Sequence, residues 1–126
     1  MVSSNDTSGV EELPRLVSSN RVEGTQVLSR DADKVGTVAA FLIDRFSGQA
    51  EYIVVAMGGV LGIGGSYHPI PWGLVSFDPV RGAYVLTIEK AVLSGGPSFK
   101  SGSEPMLDAS YIERVASYFG IGRPLA

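Results

Sequence analysis

A chain of 126 residues that is 44% hydrophobic and 18% charged carries enough apolar material for one folded domain and too much for a disordered segment. Its ten lysines and arginines are dispersed, and the formal net charge is -3, which argues against a basic face for direct nucleic-acid contact. The lack of cysteine excludes disulfides, thiolate metal sites and a cysteine nucleophile.

Residues 1–14 are polar, small and acidic and are expected to form a flexible tail. They have neither the basic start nor the apolar stretch of a signal peptide, and no apolar run reaches the roughly 20 residues of a membrane span. The expected location is cytoplasmic. Arg15–Ser18 reads as a short strand. Ser19 or Asn20 can cap one helical turn that Gly24 stops, and Thr25–Leu28 reads as the next strand.

Asp31–Met57 reads as a long β-hairpin around which the chain is organised. Both arms are rich in Val, Ile, Phe and Tyr, which suit a pleated surface, and Gly48 can supply the positive φ of the turn. Strict alternation puts Thr37, Ala39, Phe41 and Ile43 on one face and Val38, Ala40, Leu42 and Asp44 on the other. In the second arm Tyr52, Val54 and Ala56 oppose Ile53, Val55 and Met57. Away from the turn both faces are apolar, so one belongs to the core and the other requires a cover. That cover is either the chain's own helix or a second copy.

The glycine-rich stretch Gly58–Ser66 invites a phosphate-loop reading that its context rejects. No helix can start smoothly at Tyr67-His68-Pro69-Ile70-Pro71, and no Walker Lys-Ser/Thr is present. Its aliphatics, Leu61 and Ile63 among them, are expected to be partly exposed. Pro69 and Pro71 confine Tyr67–Trp72 to an edge or rim strand. A second hairpin runs through Leu74–Phe77, the turn Asp78–Gly82 and Ala83–Ile88. Glu89–Leu93 forms a short helix, and a polar linker over 96–107 leads to the clearest helix, Asp108–Phe119. There Ile112, Val115, Ala116 and Phe119 share one face. Asp108, or Ser110 with Glu113, caps its start, and Gly120 ends it.

The only histidine, His68, stands beside two prolines, a setting more typical of a structural or solvated ring than of a base or ligand. Asp31 and Asp33 fit a turn, and Asp44 fits a turn cap. No serine sits in a nucleophile elbow, and no second histidine exists to complete a triad. No catalytic residue, cofactor or metal site is assigned. The candidate interaction surface is Phe46 at the hairpin tip, Leu61 and Ile63 on the glycine loop, Trp72 at the rim, and Tyr111, Tyr118 and Phe119 on the last helix.

The order of these pieces resembles the PRC-barrel family, which includes the cytoplasmic domain of the photosynthetic reaction-centre H subunit and the C-terminal domain of the ribosome-maturation factor RimM. The matching residues are Val22-Glu23-Gly24-Thr25, Lys34-Val35-Gly36, Ile43-Asp44 with Ser47-Gly48, Tyr52-Ile53-Val54-Val55, the glycine stretch from Gly58 to Gly64, His68-Pro69-Ile70-Pro71-Trp72, and the turn at Asp78-Pro79. The likeness is greatest to free-standing bacterial members. It implies a mainly β fold: a small, strongly bent β-barrel of about six short strands over 15–95, with a C-terminal α-helix at 108–120 and a tail at 121–126. It also implies a non-enzymatic module that binds a protein partner or a second copy, most simply as a homodimer. The alternatives are a RimM-like adaptor in RNA processing or ribosome maturation, and a small-ligand carrier or enzyme using a cleft near His68 and Trp72.

Overall fold

Consecutive strands that sit at opposite edges of one sheet dictate the shape of this molecule. The computed structural model describes residues 13–58 and 65–121. Within them run α1 (Ser19–Val22), β1 (Gln26–Leu28), β2 (Lys34–Ile43), β3 (Ala50–Met57), β4 (Ser66–Pro71), β5 (Val75–Asp78), β6 (Ala83–Leu86), α2 (Lys90–Ser94) and α3 (Ala109–Tyr118). The six strands form a single sheet in the order β4-β3-β2-β1-β6-β5. Neighbours are antiparallel except β1 and β6, which are parallel. Only the 3-10 turn Trp72–Leu74 joins β4 to β5. In a flat six-stranded sheet these edges would lie ~24 Å apart, whereas the chain from Pro71 to Val75 spans at most ~14 Å. The sheet therefore curls strongly into a half-barrel.

Three extra residues bend the long hairpin. Val27 pairs with Gly36 and Leu28 with Lys34, leaving Val35 as an extra residue on β2. Val38 pairs with Val55 and Ala40 with Val54, so Ala39 is a second; Leu42 pairs with Tyr52 and Ile43 with Ala50, so Glu51 is a third, on β3. Each bulge adds twist and switches the facing of the residues beyond it. The strict alternation expected for β2 is corrected accordingly. Val35, Val38 and Phe41, three apart, all pack into the inner core, while Leu42 joins a different cluster on the outer face. Close approach accompanies the bend: a Cβ on Gly36 would lie 2.0 Å from the Ala56 carbonyl oxygen.

The inner core gathers Val27, Val38, Ile53, Val55, Ile70 and Leu86 from the sheet, closed by Val22 of α1 and Leu93 of α2. On the other side of β3, Tyr52 packs with Tyr111 and Val115 of α3, and Phe119 touches both clusters. The second apolar face of the hairpin is thus covered in part by the chain's own last helix. Asp108 caps α3 by accepting a hydrogen bond from the Tyr111 amide at 3.0 Å. Gly120, at φ +72°, ends it; its own amide donates to the Ser117 carbonyl and that of Ile121 to Ala116, a Schellman arrangement.

Two connections depart from expectation. Arg15–Ser18 forms no strand: these residues are exposed, with Leu16 at 89%, and pair with no strand of the sheet. The segment after α2 is tied down at Phe99, which exchanges two backbone hydrogen bonds with Tyr67, of 2.8 and 3.0 Å, and stacks on its ring. The prolines of β4 lie further along, so this end of the edge strand keeps a second side open to pairing.

Candidate functional site

The turn after Pro71 sets Trp72 on the rim of the half-barrel. Its ring meets Phe41 edge-on at 5.3 Å and tilts against Tyr84 at 6.3 Å; Tyr84 in turn meets Phe77 at 5.2 Å. Four rings from four elements thus make one continuous row. Phe41 and Tyr84 root it in the inner core, whereas Trp72 (37% exposed) and Phe77 (46%) open to solvent. Phe77 lies on β5, which among the described residues has a sheet neighbour on one side only. Aromatic surface beside an open strand edge suits association, since rings supply buried area and the edge supplies backbone hydrogen bonds.

Both hairpin tips use one device. The Asp44 carboxylate accepts from the amides of Phe46 (2.8 Å) and Ser47 (3.1 Å), and the Gly48 amide donates to the Asp44 carbonyl. Asp78 repeats this with Val80 (2.9 Å), Arg81 (3.3 Å) and Gly82. Gly48 and Gly82 both have positive φ, which the Asp-x-x-x-Gly loop requires of its last residue. The pinned loops hold Phe46 at 96% and Val80 at 82% exposure. Asp44 thus serves its turn. Near Asp31 and Asp33 the buried Ser29 hydroxyl accepts both of their backbone amides. Among the described residues no cluster of three His, Asp or Glu side chains could hold a metal ion.

His68 is buried at 3% exposure on the face of β4 that also carries Ile70. Its Nε2 lies 2.9 Å from the Ser66 hydroxyl, while Nδ1 finds no partner at hydrogen-bonding geometry. Burial pushes its pKa below the ordinary 6.5, with the Leu93 backbone pulling weakly the other way. His68 and Trp72 differ sharply in exposure, at 3% and 37%. The ring is sealed into the core while Trp72 stands on the rim, because alternation along β4 turns His68 inward.

The last helix also redistributes the expected surface. Tyr111 is 6% exposed and belongs to the outer cluster with Tyr52 and Val115; it is the helix's buried anchor, since position 111 stacks one turn before Val115. The Tyr118 hydroxyl donates to the Val92 carbonyl at 2.7 Å, although its ring is 42% exposed. Phe119 is half-buried between the clusters. Leu61 and Ile63 lie outside the described residues. Sequence reasoning passed over Phe77 and Val80. An aromatic residue on a terminal strand, and an aliphatic one between the turn-forming Asp78 and Gly82, were the available signals.

A family model for the PRC-barrel domain matches residues 14–93. The match runs from before α1 to Leu93 of α2 and leaves α3 outside it. No curated protein matches the chain. Among the described residues no helix is long and apolar enough to cross a membrane.

Proposed function

From the premise that this chain belongs to the PRC-barrel family, a family of binding and assembly modules, we propose that it is a non-catalytic module that works as a homodimer. The observation that carries the proposal is the row Phe41–Trp72–Tyr84–Phe77, rooted in the core and open to solvent beside the free edge of β5. A two-fold axis beside β5 would set the strand against its counterpart and stack the outer rings of the two rows. Such centres contain a few aromatic anchors that dominate the binding energy. The burial of His68 supports a non-catalytic role.

Light scattering across the micromolar range tests this. The expected result is a mass that rises from one chain to two with concentration, and a Phe77→Ser variant that dissociates at least about 30-fold more readily, as loss of a hot spot of about 2 kcal/mol requires. A one-chain mass at every concentration would remove the homodimer; unchanged association of the variant would move the interface away from β5.

A further inference from the structure

Strand direction gathers exposed apolar side chains at one end of the half-barrel. β1 and β6 run parallel, and β2 runs opposite to β1. The β2–β3 turn, where β2 ends, and the β5–β6 turn, where β6 begins, therefore open from the same end. The chain before α1 enters there as well, since it leads into the start of β1. Ile43 (62% exposed) and Phe46 stand on the first tip, Val80 on the second, and Leu16 and Val17 on the entering segment. The β1–β2 turn at the opposite end, Ser29–Asp33, exposes no large apolar side chain.

Arginine accompanies each of these segments. Arg45 and Arg81 stand beside the tip residues, and Arg15 and Arg21 flank the entry, all of them exposed. Arg81 pairs with Asp78 at 3.2 Å, whereas Arg15, Arg21 and Arg45 make no ion pair among the described residues. The carboxylates of this end are Glu23, Asp44, Glu51 and Asp78. Asp44 and Asp78 are half-buried and turned back onto the amides of their own loops. Glu51 is half-buried on its strand, which leaves Glu23 as the exposed one. The outermost groups of both tips are thus hydrocarbon and guanidinium. The tips are also convex and pinned. Phe46, at 96% exposure, touches almost nothing of its own chain, so a flat protein surface would meet such projections singly, at the full cost of association. A fluid interface closes round each of them.

We propose that this end of the molecule docks on the surface of a phospholipid bilayer. Phe46 and Val80, with Leu16 and Val17, enter the boundary between headgroups and acyl chains. The unpaired arginines meet lipid phosphates, which match the planar donor fork of the guanidinium. The net charge of -3 gives no long-range attraction to an anionic membrane. Apolar insertion therefore supplies most of the binding, and the contact is shallow and reversible. It is separate from the homodimer reading, since the two tips hold neither Trp72 nor Phe77.

Flotation of the full chain with unilamellar vesicles, three parts phosphatidylcholine to one part phosphatidylglycerol, tests this. The expected result is saturable co-flotation. Phe46→Ser or Val80→Ser weakens it at least about 5-fold, as the loss of an inserted side chain requires, and Arg45→Gln weakens it about 3-fold. All three side chains are exposed, so the circular dichroism spectrum is kept. Met106→Ser, equally exposed at 79% but on the segment before α3, leaves co-flotation unchanged. Light scattering without vesicles gives Phe46→Ser the same mass as the unmodified chain, which keeps lipid docking apart from self-association. Absence of co-flotation would overturn the proposal, as would unchanged co-flotation in Phe46→Ser or in Arg45→Gln. An equal loss in Met106→Ser would mean general stickiness and overturn it too. A lower mass in Phe46→Ser would assign the tips to a second copy instead of a bilayer.

Discussion

Among the described residues, His68 is the one side chain whose charge the fold suppresses within the physiological range. Its pKa in the folded protein lies below 6.5, chiefly because burial disfavours the imidazolium. Above pH 6.5 both folded and unfolded chains hold the neutral ring and nothing is lost. As pH falls through about 6.5 the unfolded chain takes up a proton that the folded chain refuses, so stability drops until the lowered folded pKa is reached. The slope from this single group is at most about 1.4 kcal/mol per pH unit. Urea unfolding between about pH 7.5 and about pH 5.5 should show a falling midpoint, and His68→Gln should flatten that fall whatever its own stability. Gly36 is the second residue on which the fold leans. A methyl group there would sit 2.0 Å from the backbone oxygen of Ala56, which no side-chain rotation relieves. Gly36→Ala is therefore expected to cost at least about 3 kcal/mol, read as a shift in the denaturation midpoint.

At the scale of elements, the hairpin and the last helix are where local chemistry is most directly readable. Asp108 holds the first turn of α3 through the Tyr111 amide, and Asp108→Ala should cost about 1 kcal/mol in thermal or urea unfolding. The helix could be read because its apolar spacing, its cap and Gly120 all agree. Its apolar face was legible at Ile112, Val115, Ala116 and Phe119, but Tyr111, assigned to the interaction surface, is more deeply buried than Ile112. A tyrosine carries as much apolar area as a core residue, and nothing local says which way it turns. The arms and turns of both hairpins were likewise legible from β-branched runs and Asp-x-x-x-Gly signals. The bulges at Val35, Ala39 and Glu51 were not. Those residues differ in no obvious way from their neighbours, and the register shift is set by what β1 and β3 require across the sheet. The row of rings escaped notice for a related reason: Phe41, Trp72, Tyr84 and Phe77 come from separate stretches that meet only once the sheet curls.

The whole molecule is two apolar layers sharing one strand pair, and their unequal size implies unequal stability. The inner core draws on β1, β2, β3, β4, β6, α1 and α2. The outer cluster rests on Tyr52, Tyr111 and Val115, with Leu42, Ile112 and Phe119 packed against it. A helix of ten residues does not persist in water unless it is docked, so α3 should leave the sheet in a partial opening that costs less than global unfolding. Among the described residues Phe119 packs in both clusters, and the Tyr118 hydroxyl adds one hydrogen bond to the Val92 carbonyl of α2, so the coupling between the layers is narrow. Native-state hydrogen exchange should therefore show two classes of amide, with those of α3 exchanging at lower free energy than those in the middle of β2 and β3. Val115, fully buried in the outer cluster, gives the decisive variant. Val115→Ala removes buried methyl groups and leaves a void, a loss of about 2 kcal/mol. If α3 opens by itself, that loss should appear in full in its amides. The strand amides should lose the same amount only where they exchange through global unfolding, and keep their protection where they exchange through local opening. One common exchange free energy for helix and strands in the unmodified chain would mean instead that the two layers fold as a single unit, with α3 as integral to the barrel as β3.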